Sequence, residues 1–427
     1  MIGNLALRLY SFVTSLGRLF VYGLLRHRMG KGKEDVERWA ERRGRPSMSR
    51  PEGPLVWVHG ASVGETISIL PIVDRILAEG INVLITSGTV TSARLLDRRL
   101  PPGAYHQYLP MDVPLYMRRF FSHWRPDLGL IAESELWPNM LMIADKRHIP
   151  LVLINARLSE RSTRRWKRFG RIAAAVMARL DLCLAQSEED ARRLSELGAP
   201  RVTVTGNLKF DVPAPPADHA KVAALEGLIA GRTVWIAAST HPGEEQAIIE
   251  THLALSGQIP NLLTFIAPRH PQRGAPISDA AQALGITCGR RSQRALPTEE
   301  VGLYVVDTIG EMGLFYRVCP LAFMGGSLIN HGGQNPIEPA KLGTAIVHGP
   351  YVHNFADTYS RLDLEHGAME ISPENLTDAV GQLLGNPAKM REMSRTANQV
   401  IVSLSGATDR TMSEIAPFLV RMHIESR

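Results

Sequence analysis

Asp211-Val-Pro-Ala-Pro-Pro-Ala-Asp218 divides the chain. Three prolines in eight residues break helix and strand alike, so this stretch reads as a linker. Before it, short apolar runs at 55–59, 83–86, 128–132, 151–155, 182–185 and 202–205 alternate with helical stretches. After it the alternation restarts, with runs at 234–237, 262–267, 303–307, 321–324 and 345–348. Strands alternating with helices are the pattern of a parallel sheet covered on both faces. The expectation is an α/β protein with two doubly wound domains, 46–212 and 213–427, joined at a proline hinge and preceded by a separate segment, 1–45. In such sheets ligands lie beyond the carboxyl ends of the strands, which makes the strand-end loops the places to search.

Composition agrees with this size and class. Of 427 residues, 44% are hydrophobic and 21% charged, enough apolar material for sizeable cores. Lys and Arg number 48 against 42 Asp and Glu, a net charge of +6. That balance excludes an acidic solvating protein and points to anionic partners. The three cysteines, Cys183, Cys288 and Cys319, are too few and too scattered for a disulfide framework or a Cys-rich zinc site. A reducing compartment is expected, with Cys183 and Cys319 as small core residues.

Part of the positive charge is concentrated near the start. Between Leu5 and Leu25 an apolar helical pattern is interrupted by Arg8 and Arg18. Asn4, Arg8, Ser11, Ser15, Arg18 and Arg26 share one narrow sector, and Leu5, Leu9, Phe12, Leu16, Leu19, Phe20 and Leu24 fill the broad remainder. A spanning helix needs about 20 mainly apolar residues, so the length just suffices. Each mid-span arginine costs about 2.5–3.5 kcal/mol, whereas a helix lying in the interface lets both reach headgroups. No small-residue cleavage site follows, so a removable signal peptide is not expected. Residues 26–45 carry eight Lys/Arg against four Asp/Glu, a composition suited to a cytoplasmic membrane surface. The alternative is a helix packed on a soluble domain with a solvated basic face. Monotopic and single-pass attachment both remain open at this level.

Several strand-end loops could carry chemistry. Trp57-Val-His-Gly-Ala-Ser-Val-Gly-Glu65 turns from a strand into a helix, placing Glu65 in the first helical turn. There it either complements the helix dipole or serves as a general base, and the base role needs desolvation to offset the dipole. Ala132-Glu-Ser-Glu-Leu-Trp-Pro-Asn139 sets Glu133 and Glu135 two apart; if the strand persists they point the same way. Thr205-Gly-Asn-Leu-Lys-Phe-Asp211 puts Lys209 beside the linker, either solvated or holding an anionic substrate. Residues 157–171, with seven Lys/Arg and one Glu, are equally a headgroup surface or an exposed helix face. In the second half, Arg269 and Arg273 follow a strand, and Arg suits bidentate anion contacts. Residues 325–340 offer four glycines, Asn335 and Glu338, a composition able to cradle phosphate and accept ribose hydroxyls. Neither a GxGxxG fingerprint nor a Walker sequence is present. His59, His241, His270 and His331 match no zinc spacing and no D-x-D pair occurs, so no metal is expected.

Taken together, these loops resemble a known family. HGASVGE (59–65), ESELWPN (133–139), NARLSERS (155–162), TGNLKFD (205–211), STHPGEE (239–245), APRHP (267–271), DTIGEM (307–312) and GGSLINHGGQNPIEPA (325–340) occur in this order. The set resembles the 3-deoxy-D-manno-octulosonic acid (Kdo) transferases of lipid A maturation, over nearly the whole chain. The resemblance implies a GT-B fold, two Rossmann-like domains facing across a cleft, with an amphipathic N-terminal membrane-anchor helix. It implies transfer of Kdo from CMP-Kdo to the lipid A precursor lipid IVA with inversion, in lipopolysaccharide biosynthesis, at the cytoplasmic face of the inner membrane and without a cofactor. Glu65 would be the proton acceptor, and Glu135 and Lys209 would stabilise the transition state. Pro268, Arg269, Ile309, Gly310, Glu311, Asn335, Pro336, Ile337 and Glu338 would bind CMP. Two positions depart from the family pattern: many relatives have His at Gln334 and Arg at His331, both beside the nucleotide segments. The alternatives are another GT-B transferase acting on a lipid-linked acceptor, or a catalytically silent nucleotide-sugar-binding membrane protein. A silent protein would have no need of a base at Glu65. Nucleic acid is not an expected partner, and the number of Kdo units added and the oligomeric state have no sequence signal.

Overall fold

The computed structural model describes residues 2–425. Each side of the linker forms its own seven-stranded parallel sheet. The first comprises β1 (Leu55–His59), β2 (Asn82–Ser87), β3 (Ala104–Tyr108), β4 (Leu128–Ala132), β5 (Leu151–Ala156), β6 (Leu182–Ala185) and β7 (Val202–Val204), in the order β3-β2-β1-β4-β5-β6-β7. The second comprises β8 (Thr233–Thr240), β9 (Leu262–Pro268), β10 (Cys288–Arg290), β11 (Leu303–Val305), β12 (Leu321–Met324), β13 (Ala345–His348) and β14 (Ala368–Glu370), in the order β10-β11-β9-β8-β12-β13-β14. The direction of winding reverses between β1 and β4 in one sheet and between β8 and β12 in the other, which places a ligand crevice at each reversal.

The strands read as unbroken apolar runs because both faces of the sheets are covered. In the first sheet Leu55, Trp57, Leu84, Ile131 and Leu153 enter one core, while Val56, Val58, Val83, Ile85 and Leu130 enter the other. That division is the two-residue alternation of a strand. Trp57 is fully buried, lies edge-on to Phe120 and Phe121 at 5.5 Å, and donates its indole N–H to Thr86 Oγ1 at 2.8 Å. The sequence pattern misses β3, β10 and β14. All three are edge strands, and short or polar ones such as Ala-Tyr-His-Gln-Tyr carry no apolar run.

The division into domains needs one correction. The second unit is Pro213–Ser403, and the described residues from Leu404 onward return to the first unit. Its terminal helix, Ala407–Glu425, places Ile415 and Leu419 in the core beneath β1 and β2, a long-range return with no local sequence signal.

The N-terminal helical pattern resolves into two helices, α1 (Ile2–Leu16) and α2 (Arg18–Gly30), separated at Gly17. Helix α1 lies on the first unit: Leu7 is buried, and Gly3 touches the main chain of Arg171 so closely that a Cβ would clash. Tyr10 donates to Asp112 Oδ2 at 3.1 Å, and Thr14 Oγ1 accepts from Asn139 Nδ2 at 3.0 Å. The opposite face exposes Leu5, Leu9, Phe12, Val13 and Leu16, continued by Leu19 and Phe20. The basic flank is only partly a surface patch. Glu34 pairs with Arg28 at 2.7 Å and with Arg42 at 3.2 Å, and buried Glu41 takes Arg38 at 2.9 Å. Arg26, Lys31, Lys33 and Arg45 stay exposed. No helix among the described residues is long and apolar enough to cross a membrane.

Candidate active site

In the first unit the chemistry gathers at the reversal point, in the loops after β1 and β4. Ser62 caps α3 (Val63–Ala78) in extended conformation, its Oγ accepting from the Glu65 N–H at 3.3 Å. Glu65 reaches back: Oε1 accepts from the Ser62 hydroxyl at 2.7 Å and Oε2 from the Ala61 N–H at 2.8 Å. This reciprocal cap fixes the carboxylate at the mouth of the loop. The helix-end reading of Glu65 is therefore correct as structure, yet the electrostatics go beyond it. Burial raises the Glu65 pKa above the usual glutamate value, helped by the charges of Glu133 and Glu135; the bonds from Ser62 and Ala61 oppose the rise. Desolvation outweighs the cap, which is the condition a base at this position requires.

After β4 the chain does not stay extended. Glu133 takes a left-handed conformation, φ 57°, so the two glutamates part company. Glu133 Oε1 accepts from Lys209 Nζ at 2.9 Å, whereas Glu135 Oε2 accepts from the Trp137 indole at 2.7 Å. The condition for two aligned carboxylates is not met, because the strand ends at Ala132. Sequence reading gave Glu133 no role of its own. The structure makes it the partner of Lys209.

Lys209 sits in a short helical turn, Leu208–Phe210, held from several sides. Asn207 Oδ1 accepts from the Lys209 N–H and buried Asn155 Oδ1 from the Leu208 N–H, both at 3.0 Å. Asp211 accepts the Gly406 N–H at 2.7 Å and also bonds the Thr408 N–H, and Arg410 Nε donates to the Thr205 carbonyl at 2.7 Å. The returning C-terminal helix thus braces the lysine. His59 is a buried structural residue: its Nδ1 lies 3.0 Å from the Thr86 carbonyl, and burial pushes its pKa down to about 4.

In the second unit the loops after β8 and β12 flank the other reversal point, joined by those after β9 and β11. Glu244, fully buried, ties two of them together. Its Oε1 accepts from the N–H groups of Ser327 and Leu328 at 2.9 Å each, and its Oε2 from Gly326 at 2.7 Å and His241 at 3.0 Å. One carboxylate therefore shapes the start of the glycine-rich loop. The only sequence trace of this role is an acid just ahead of a helix, which is common.

The nine positions expected to bind CMP fall on these same loops. Pro268 ends β9, and the Arg269 N–H bonds the Thr240 carbonyl at 3.0 Å. Asn335 Oδ1 accepts from the Ile337 N–H at 3.0 Å, just beyond Pro336. Burial raises the Glu338 carboxyl above its usual range, against the pull of Asn335 and Arg269, so residues of two loops act on one group. Ile309 is 85% exposed and Gly310 has φ 89°, so this tip presents main chain and one apolar side chain. Glu311 is held from behind by a bidentate Arg291 at 2.6 and 3.0 Å and by the Thr308 hydroxyl at 2.5 Å, and the Arg291 bond in particular keeps its pKa low. Arg273, expected to meet phosphate, is instead paired with Glu245. Among the described residues no three His, Cys, Asp or Glu side chains are grouped to hold a metal ion.

Known proteins similar to this chain point the same way. A family model for 3-deoxy-D-manno-octulosonic acid transferase matches residues 37–212. The 3-deoxy-D-manno-octulosonic acid transferase of Haemophilus influenzae is 33% identical over 395 residues, covering 90% of this chain and 92% of that one. The enzyme of the same name from Bordetella pertussis is 37% identical over 385 residues, covering 87% and 90%. Among solved structures, a UDP-GlcNAc 2-epimerase from Neisseria meningitidis superposes with a TM-score of 0.56 at 14% identity, covering 86% of this chain and all of that one (100%). At that identity the likeness concerns the fold alone, GT-B with its two Rossmann-like domains. The sequence relatives go further, because each is more than 30% identical over most of both chains: this protein belongs to the 3-deoxy-D-manno-octulosonic acid transferase family.

Proposed function

We propose that the protein is an inverting transferase that moves Kdo from CMP-Kdo to a sugar hydroxyl of lipid IVA in lipopolysaccharide biosynthesis, with Glu65 as the base. The hydroxyl proton passes to the Glu65 carboxylate as the oxygen attacks the anomeric carbon of Kdo. The bond from that carbon to the CMP phosphate oxygen breaks, and CMP leaves with the electron pair. Attack opposite the leaving group inverts the centre. The observation that carries this reading is the raised pKa of Glu65 at the reversal point of the first sheet, caused by burial and by two neighbouring glutamates. Each oxygen of Glu65 keeps a lone pair beyond its cap bond, so a substrate hydroxyl can be added without dismantling the loop.

Lys209, paired with Glu133, and Glu135 offset charge as the oxocarbenium-like centre forms and the donor carboxylate is reoriented. Pro268, Arg269, the 309–311 tip and residues 335–338 hold CMP. The acceptor is an amphiphile, and the exposed apolar faces of α1 and α2 suit the membrane interface, with Arg26, Lys31, Lys33 and Arg45 beside acidic headgroups. Exposed Arg161, Arg164, Arg165 and Arg168 extend the same basic character. These features support attachment from one side, at the cytoplasmic face of the inner membrane.

Incubation with CMP-Kdo and lipid IVA, followed by mass spectrometry of the lipid, tests the reading. Wild type adds Kdo, and Glu65→Gln loses at least about a hundredfold in rate while still binding CMP. Undiminished transfer by the variant removes Glu65 as the base. Sugar transfer only from a UDP donor removes the Kdo assignment.

A further inference from the structure

Three imidazoles from three different strand-end loops meet in the second unit. His241 follows β8, His270 follows β9 and His331 follows β12. The His241 ring lies on that of His331 with centroids 3.9 Å apart and 31° between planes, and His270 stands edge-on to it at 6.0 Å. Gly326 makes room for the stack: a Cβ there would come within 3.3 Å of the His241 ring and the Gln334 amide and 3.5 Å of His331. Gln334 Nε2 lies 3.1 Å from His241 Nε2, so the amide donates and the ring, in its neutral form, accepts.

The surroundings of this stack are almost wholly cationic or neutral. Arg269 and His270 act on His241 from the β9 loop, and His353 lies against Gly332 beside His331. Glu244 is the nearest acid on the His241 loop, but both of its oxygens are engaged by four main-chain N–H groups. Glu338 acts on Arg269. Burial, then His331, His270 and Arg269, push the His241 pKa down to about 4, so an empty site keeps this ring uncharged at neutral pH. A negative oxygen placed beside the stack reverses that balance, because it favours the charged imidazole and gains a charge-assisted hydrogen bond.

The geometry points to His241 and His331 as the seat for an anionic oxygen of the donor, a seat that takes up one proton from solvent when the donor binds. It rests on the donor assignment above and adds to it two donor-binding residues and a proton. The proton moves from water to a ring nitrogen; no other bond is made or broken. Gln334 can follow the change by turning its amide, presenting its carbonyl to the new N–H. The donor has two chemically similar anions, the phosphodiester and the sugar carboxylate, and either could take the seat. Glu338, already raised by burial, would respond in the same direction beside an anion, so the loss of uptake in His331→Arg is what assigns the proton to the stack.

Calorimetric titration of the full-length protein in detergent, in buffers of different ionisation heat, tests this. The probes are CMP-Kdo and cytidine 5′-(methyl phosphate), whose phosphodiester charge does not change near neutrality. Wild type should take up a proton on binding, with affinity falling from about pH 6 to 8 toward the limit of about tenfold per pH unit that one linked proton sets. Uptake with both probes assigns the phosphate to the seat, and uptake with CMP-Kdo alone assigns the carboxylate. His331→Arg, a permanent cation, should bind without uptake and with a flat pH profile; His331→Gln should lose affinity mainly at low pH. Binding by wild type that is flat in pH and independent of buffer heat overturns the proton-taking seat and leaves the donor assignment standing. Failure of both cytidine ligands to bind overturns the donor assignment itself. A His331→Arg variant that keeps the wild-type pH slope removes His331 from the seat.

Discussion

Lys209 pairs with Glu133 and not with Glu135: its ammonium lies 2.9 Å from Glu133 Oε1, while Glu135 bonds the Trp137 indole. The pair is about three-quarters shielded from water on each side, at 25% and 22% exposure, so removal of one partner is felt by the other. Lys209→Met leaves the Glu133 charge unbalanced beside Glu65, whose pKa that charge already raises. The proposed base must be ionised to act, so the acidic limb of kcat/KM moves to higher pH, and kcat falls by about 10²–10³ if the cation also stabilises the transition state. Glu133→Gln moves the limb the other way, because a like charge is gone and the lysine is released. A pair of pH–rate profiles checks both signs; limbs that stay in place would show that the two groups are not electrostatically coupled to the base.

Ser62 makes two bonds with Glu65, one to its carboxylate and one from its main chain. Ser62→Ala removes both. The helix loses its cap at a cost of about 1 kcal/mol, seen as a lower denaturation midpoint. At the same time the carboxylate loses a bond that favours its ionised form, so the acidic limb rises. A purely structural cap would lower the midpoint and leave the limb where it was.

How much of this was legible in advance varies by element and for physical reasons. Central strands such as 55–59 and 128–132 announce themselves because both sheet faces bury apolar side chains. Edge strand β3, Ala-Tyr-His-Gln-Tyr, carries no such signal. The break at Gly17 could not be separated from a continuous helix, since glycine within an apolar pattern is tolerated. Motif resemblance gave the loops, but not their wiring. The bonds from Asp211 to Gly406 and Thr408 span nearly 200 residues, and Glu244 reaches more than 80 residues to the glycine loop. Local sequence records none of these pairings, because closure at such range is decided by how the sheets are wound.

Glu244 supplies the sharpest stability test. Its two oxygens accept four main-chain N–H bonds in a site closed to water. Glu244→Gln replaces one acceptor with an NH₂ group facing N–H donors, forfeiting two bonds at a cost on the order of 3 kcal/mol. The glycine loop then loses its fixed shape, so KM for CMP-Kdo should rise more than kcat falls. Glu244→Asp keeps the charge with a shorter reach and should sit between the two. Unchanged KM in a folded Gln variant would mean that the loop is held by other contacts.

The buried and exposed sides of the α1–α2 segment make opposite predictions. Leu7 is buried in the core of the first unit, so Leu7→Ser should lower the unfolding midpoint. Phe12 and Phe20 are 61% and 76% exposed, so Phe12→Ser with Phe20→Ser should leave that midpoint within error. Full burial of such a side chain gives about 1.5–3 kcal/mol, and interfacial burial captures part of it. Losing two therefore weakens binding to vesicles by roughly 10–100-fold. Exposed Arg26, Lys31, Lys33 and Arg45 add about 1 kcal/mol each near acidic lipid, so binding should also weaken with salt and on neutral vesicles. Transfer to lipid IVA presented in vesicles should fall with vesicle binding, while transfer to detergent-dispersed acceptor should hold. Co-sedimentation that is undiminished in the double variant would mean that the exposed apolar face meets something other than lipid.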